Sequence, residues 1–272
     1  MVGKELPVDP FFRVETLSKT PDPQRLVYQA MHQDYSSGFV ADDRHAISES
    51  RAGELVVKHL LKGDRGHFGP LEHPQITFNC GGFPHSVIQQ ARTHRVGVSF
   101  DVQSFRYTGD HMKVALDHVS EDLTHDCWWD ELGTSGLVGL EGDNSWVEPF
   151  IYLRPTGTYT NRQGQAFEYT QLGREIDAQH AAYLVYLYAN KIKGGMPAEQ
   201  ARGMLPFDYR QNFVVSFNAR SLMHFLDLRA KADAQLEIQQ LCDLLMEHFL
   251  AWMPEVAAWY RDRRFGKARL SP

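Results

Sequence analysis

Phe213-Val214-Val215-Ser216-Phe217-Asn218-Ala219-Arg220-Ser221-Leu222-Met223-His224-Phe225-Leu226-Asp227-Leu228-Arg229-Ala230 decides the fold class, because its periodicity changes at a single point, Asn218. Before Asn218, β-branched and aromatic residues dominate, which suits a pleated strand; after it, apolar residues recur at helical spacing. Asn218 is a good N-cap, since its short carboxamide can accept from the unpaired amides of a first helical turn. On the helix that follows, Arg220, His224 and Leu228 recur at i, i+4 and i+8, which places a guanidinium and an imidazole on one face. Leu222, Met223, Phe225 and Leu226 can cover the core side. A strand that feeds straight into such a helix, taken with the helices and strands read along the rest of the chain, predicts an α+β fold.

The rest of the chain supplies elements of both kinds. Residues 1–24 carry prolines and charges and read as an arm or a loosely attached start. Ala52, Leu55, Val56, His59 and Leu60 predict an amphipathic helix over 45–62, followed by a strand at 75–80 and a helix at 84–93. Residues 108–165 are rich in Asp, Gly and Trp and read as irregular, with turns and short strands, and the acidic group Glu121, Asp122, Asp126, Asp130 and Glu131 as a solvated face. A helix is expected from Glu168 through Tyr188, with Ile176, His180, Leu184 and Leu187 as its stripe. Pro197 suits the first turn of a short helix bearing Arg202. The segment from Asp233 to Met253 has too many apolar residues for one narrow stripe, so it is expected to bury two faces, with subunit contact as one use.

A second cluster stands upstream: Gln89-Gln90-Ala91-Arg92-Thr93-His94-Arg95, then Ser99-Phe100-Asp101-Val102-Gln103-Ser104-Phe105-Arg106-Tyr107. Arginine offers a planar fork of donors that matches phosphate or carboxylate, and neighbouring hydroxyls can finish the shell. A phosphorylated ligand is therefore one reading of the cluster, and a solvated basic face is the other. Arg229, at the end of the predicted helix, could likewise be a surface partner of Asp233.

Four blocks, in this order, resemble the flavin-dependent thymidylate synthases. They are His67-Phe68-Gly69-Pro70-Leu71-Glu72-His73; Arg92, His94 and Arg95 with Ser104-Phe105-Arg106-Tyr107; Ala201-Arg202-Gly203-Met204-Leu205-Pro206; and Asn218-Ala219-Arg220-Ser221-Leu222 through Leu228-Arg229-Ala230. Thr93 separates Arg92 from His94 where the family's arginine and histidine are contiguous, and one further residue stands between Arg95 and Ser99, so the local loop differs; Val102, with Asp101 beside it, stands where an acidic ligand contact is usual. The resemblance implies reductive methylation of dUMP to dTMP, with 5,10-methylenetetrahydrofolate as carbon donor and NADPH as reductant through FAD. It implies Arg229 as the catalytic group that activates the nucleotide. Gln89, Arg92, Gln103, Ser104, Arg106 and Arg202 would bind dUMP with it, and His67, Gly69, His94, Arg95, Asn218, Arg220 and His224 would hold FAD. It further implies a single α+β domain over 1–272 with antiparallel sheet, a length-variable insertion at 108–165, and a homotetramer with active sites at subunit interfaces.

What is missing agrees. There is no G-x-G-x-x-G after a strand, no Walker loop, no H-E-x-x-H and no G-x-S-x-G, so neither a Rossmann site nor a hydrolase nucleophile is advertised. Cys80, Cys127 and Cys242 read as structural thiols, which favours a route without a cysteine nucleophile. A net charge of −6 argues against a general nucleic-acid coat, and 272 residues with 43% hydrophobic content can bury a substantial core. No apolar leader or membrane-length run is present in the sequence, and the expected location is the cytoplasm. Two rivals remain: a nucleotide- or flavin-binding module without turnover, and a hydrolase using His67, His73 and His85 around a metal. No zinc-like ligand spacing supports the second, so no metal is expected.

Overall fold

The switch at Asn218 is present: Arg210–Asn218 is a strand and Ala219–Arg229 a helix. Phe213, Val215 and Phe217 alternate into the core, as period two requires, and Asn218 Oδ1 accepts the Ser221 amide at 2.8 Å. Leu222, Met223, Phe225 and Leu226 are all buried on the inner side of the helix.

The computed structural model describes residues 6–42, 46–62, 67–118, 143–161 and 163–267; Cys127 and the acidic residues at 121–131 lie outside them. In chain order the elements are β1 (Arg13–Lys19), α1 (Pro23–Gln33), α2 (Glu49–Val56), β2 (Gln75–Pro84), α3 (His85–Ala91) and β3 (Val98–Val102). They continue with the short α4 (Phe105–Thr108) and α5 (Ala115–His118), β4 (Gly157–Thr160), β5 (Ala166–Tyr169), α6 (Gln171–Lys193) and α7 (Ala198–Ala201). Last come β6 (Arg210–Asn218), α8 (Ala219–Arg229), α9 (Leu236–Trp252) and α10 (Pro254–Arg263). Both helices and antiparallel strands are present, as the α+β reading expects. A π-helical turn, Val57–Leu61, continues α2. Among the described residues, no helix is long and apolar enough to cross a membrane.

The chain forms two compact units. One contains Gly82–Ser86, Val102–Asn212 and the N-terminal residues up to Phe11. Its core packs α6 over Phe105, Met112, Val147 and Ile151. The stripe expected on α6 is not the buried one: Ile176 and His180 are exposed, whereas Ala178, Ala181, Ala182, Val185, Tyr188 and Ala189 face inward. Alanines at spacings of three and four let the helix approach closely, and a small side chain reads as only weakly apolar. Glu168, expected to begin this helix, instead lies in the β4–β5 hairpin, and Thr170 caps α6 by accepting from Gly173.

The other unit contains Phe12–Gly81, Val87–Asp101 and the chain from Phe213 onward. Its sheet has the order β1-β2-β6-β3, with β1 and β2 antiparallel. The expectation of a loose N-terminus is corrected here. Val14 pairs with Cys80 and Thr16 with Phe78, and α9 fastens β1 through His248, which pairs with Thr16 Oγ1 at 3.0 Å and the Val14 carbonyl at 3.1 Å.

Candidate active site

In the second unit the start of α8 is joined to two distant stretches of sequence. Arg220 pairs with Glu72, and the Ala219 amide donates to the Pro74 carbonyl at 3.1 Å, so the His67–His73 block lies against the helix N-terminus. The Asn218 amide donates to Gly97 O at 3.2 Å, and Ser221 Oγ–H to Val96 O at 2.8 Å. These bonds seat the loop after α3 on the same end. Gly97 has φ +65°, and a Cβ there would come within 2.2 Å of Ser221 Oγ and 2.4 Å of Asn218 Nδ2. Only glycine satisfies both the left-handed backbone and the close approach.

At the other end of α8, Arg229 reaches the same loop. Its Nε–H donates to His94 Nε2 at 3.0 Å, and Nη2 donates to the Gln90 carbonyl at 2.9 Å and to Thr93 Oγ1 at 2.8 Å. The alternative of a surface partnership with Asp233 is thus replaced by a loop-facing one. His94 is 7% exposed, edge-on to Phe225 at 5.0 Å and to His224 at 5.4 Å. Burial, then the Arg229 charge and His224, push its pKa down to about 4. His94 is therefore neutral near pH 7, and its role as acceptor from Arg229 assigns its proton to Nδ1. Burial lowers the Arg229 pKa from its ordinary value, but a guanidinium remains a cation at neutral pH.

Arg92, His94, Arg95, Val98, Ser99 and Phe100 line a hollow of about 250 Å³. Arg92, Arg95 and Ser99 are exposed, so their donors are presented to solvent or to an anion. Gln89 is exposed on α3. His67 belongs to a second hollow of about 410 Å³, lined also by Tyr28, Met31, His32, Tyr35 and His59. Gly69 is exposed, with no atom within 4 Å of where a Cβ would stand. All seven residues implied for a flavin thus belong to one unit, along with Gln89, Arg92 and Arg229; of them His94, Arg95 and Arg92 line one hollow and His67 the other.

Gln103, Ser104, Arg106 and Arg202 belong to the first unit. The Gln103 carboxamide is engaged at both ends, accepting from the Asn212 amide at 2.9 Å and donating to Thr108 Oγ1 at 3.1 Å. This side chain ties the end of β3 to the start of β6. Ser104 is partly buried and its carbonyl accepts the Tyr107 and Thr108 amides. Arg106 is exposed, 4.0 Å from Glu199 of α7 and 5.3 Å over the Tyr107 ring. Arg202 is exposed just after α7, and its charge acts on Tyr209.

Sequence reasoning missed Gln90, Thr93 and Gln235. Gln90 Nε2 donates to Gln235 Oε1, and Thr93 was legible only as an extra residue in the signature. Cys80 and Cys242 are buried free thiols, and burial pushes both pKa values well up, the reverse of an activated nucleophile. Among the described residues no group of three or more His, Cys, Asp or Glu could hold a metal ion. His85 pairs with Gln211 at 2.6 Å.

The family described as Thymidylate synthase complementing protein matches residues 15–255. The flavin-dependent thymidylate synthase of Haloarcula marismortui is 33% identical over 270 residues, covering 95% of this chain and 99% of that protein. Its counterpart from Halobacterium salinarum is 31% identical over 277 residues, 96% of this chain and 100% of that one. Thymidylate synthase X from Helicobacter pylori, solved with FAD and dUMP, has a similar fold, with TM-score 0.59 and 20% identity over 93% of this chain and 98% of that one. The UMP/dUMP methylase PolB from Streptomyces cacaoi, bound with 5-Br dUMP, gives TM-score 0.64 and 20% identity over 96% of this chain and 97% of that one.

Proposed function

The chain belongs to the flavin-dependent thymidylate synthase family, whose function is the reductive methylation of dUMP to dTMP, and on that premise we propose how its own residues divide the work. The one-carbon donor is 5,10-methylenetetrahydrofolate and the reductant NADPH. The observation that carries the assignment is that α8, capped by Asn218, holds Arg220 at one end and Arg229 at the other, with the stretch Gln90–Gly97 bonded to both ends.

The residues present fit a flavin dinucleotide. The hollow edged by Arg95 and Ser99 offers a cationic and a hydroxyl donor to a diphosphate, and Gly69 leaves open space where a side chain would intrude. His67, Gly69, His94, Arg95, Asn218, Arg220 and His224 would hold it. When bound, FAD supplies the hydride chemistry, and the protein supplies binding and electrostatics.

Arg229 activates the nucleotide. With both described thiols buried, the pyrimidine must be polarised, and a guanidinium at its carbonyl stabilises the negative charge that develops. The neutral His94 suits this arrangement, since it accepts from Arg229 without adding a competing cation. Gln89, Arg92, Gln103, Ser104, Arg106 and Arg202 hold dUMP, with Arg202 on its phosphate. A homotetramer with sites at subunit interfaces, a cytoplasmic location, and residues 108–165 as an elaboration of one domain complete the reading.

The test is an anaerobic flavin spectrum of the FAD-loaded protein, first with NADPH, then with dUMP and methylenetetrahydrofolate, while dTMP is followed. Bleaching and substrate-dependent reoxidation with dTMP are expected. A protein that cannot be loaded with FAD, or that reoxidises without forming dTMP, overturns the reading.

A further inference from the structure

We propose that Thr93 is a positioning residue for Arg229, an inference that rests on Arg229 being the group that activates dUMP. A guanidinium carries five N–H donors in a rigid plane. In Arg229 the one on Nε goes to His94, and the two on Nη2 go to Gln90 O and Thr93 Oγ1. Among the described residues Nη1 makes no hydrogen bond, so its two donors are those left for a nucleotide. Because the plane is rigid, whatever holds the Nε–Nη2 edge sets where Nη1 points.

The three holders are not equivalent. His94 is packed against Phe225, and Gln90 O is backbone near the end of α3, its side chain bonded to Gln235. Thr93 alone couples two of the partners. Its hydroxyl has one proton, which it donates to Gln90 O at 2.8 Å, leaving lone pairs to accept from Nη2 at 2.8 Å. Arg229, Thr93 and Gln90 O therefore form a closed triangle that resists rotation of the guanidinium. Without the hydroxyl, Nη2 keeps one partner and the arginine can swing about the His94 contact. Thr93 is exposed, so a change there touches little of the core.

The variants are Thr93→Val, which keeps the shape and removes the hydroxyl, and Thr93→Ser, which keeps the hydroxyl. Flavin content, thermal stability, dUMP affinity by titration calorimetry, kcat and KM are measured beside wild type. For Thr93→Val, kcat should fall ~10- to 100-fold, the scale of a small misplacement of a reacting group. The KM for dUMP should stay within about threefold and flavin content should be unchanged, as expected when only transition-state contacts are lost. Thr93→Ser should recover most of the rate. Wild-type kcat in Thr93→Val overturns the inference. So does a Thr93→Ser variant as slow as Thr93→Val, or a loss of flavin and stability that accounts for the rate. If wild type itself forms no dTMP, the parent reading falls and the role of Thr93 falls with it.

Discussion

His94 sits between a guanidinium and an aromatic ring, and this setting decides which charge it can hold. Free histidine titrates near 6.5, whereas in the folded chain the value is about 4, mainly from burial and then from Arg229 and His224. Between those values the unfolded chain binds a proton that the folded chain refuses, so stability is full above about pH 6.5 and declines as the pH falls toward 4. At about 1.4 kcal/mol per pKa unit the loss reaches up to ~3 kcal/mol, less where solvent screens the ring. Denaturant unfolding of wild type and His94→Gln at pH 7.5 and pH 4.5 isolates this contribution, because glutamine can still accept from Arg229. Wild type should lose about 2 kcal/mol more than the variant over that interval; equal losses would remove His94 as the source. The histidine and its arginine neighbours were legible because residue type announces chemistry. The partner of Arg229 was not: Asp233 is four residues away and His94 is more than a hundred, and sequence spacing favours the nearer.

At the scale of the element, α8 was read correctly from its own residues, since a change of period, a capping asparagine and a buried run all lie in one stretch. What the helix packs against was less readable. Gly97 is the example: nothing around it in sequence says that its backbone must turn left-handed against Ser221 and Asn218. Gly97→Ala should cost at least ~2 kcal/mol, combining left-handed strain with the overlap on Ser221 Oγ. It should also lower flavin retention, because the loop that carries Arg95 is seated by those bonds. Urea unfolding followed by fluorescence, with flavin content measured on the same samples, checks both. A variant within 0.5 kcal/mol of wild type, the range of ordinary surface changes, would mean that the loop relaxes freely. The same limit explains β1, whose alternation is broken by the exposed Leu17 and the register shift between Thr16 and Ser18, and whose cover comes from His248 in α9. It also explains α6, where alanines carry the buried face.

Across the whole molecule, the reading of residues 1–24 as loosely attached fails over the described part, residues 6–24, for a reason the sequence hides: Arg210 needs a counter-charge. Its guanidinium is almost fully buried, donating from Nε to Glu148 O at 2.7 Å, from Nη1 to Gly82 O at 2.8 Å, and from both Nη atoms to the two oxygens of Asp9 at 2.9 and 2.8 Å. The Phe11 ring lies 4.6 Å beneath it. A buried cation tolerates this position only while paired, so the segment that carries Asp9 is held to its unit by electrostatic necessity as much as by packing. Asp9→Ala should leave the guanidinium buried without the Asp9 carboxylate, at a cost of about 3–5 kcal/mol. With ~2–4 °C per kcal/mol for a chain of this size, the unfolding temperature should drop by roughly 10 °C. The double variant Asp9→Ala with Arg210→Met should recover part of that loss, because it removes the stranded charge and keeps an apolar stem. Calorimetry of the three proteins decides it: a single variant that melts with wild type would show the N-terminal anchor to be dispensable, and a double variant no better than the single would place the cost in packing rather than in charge.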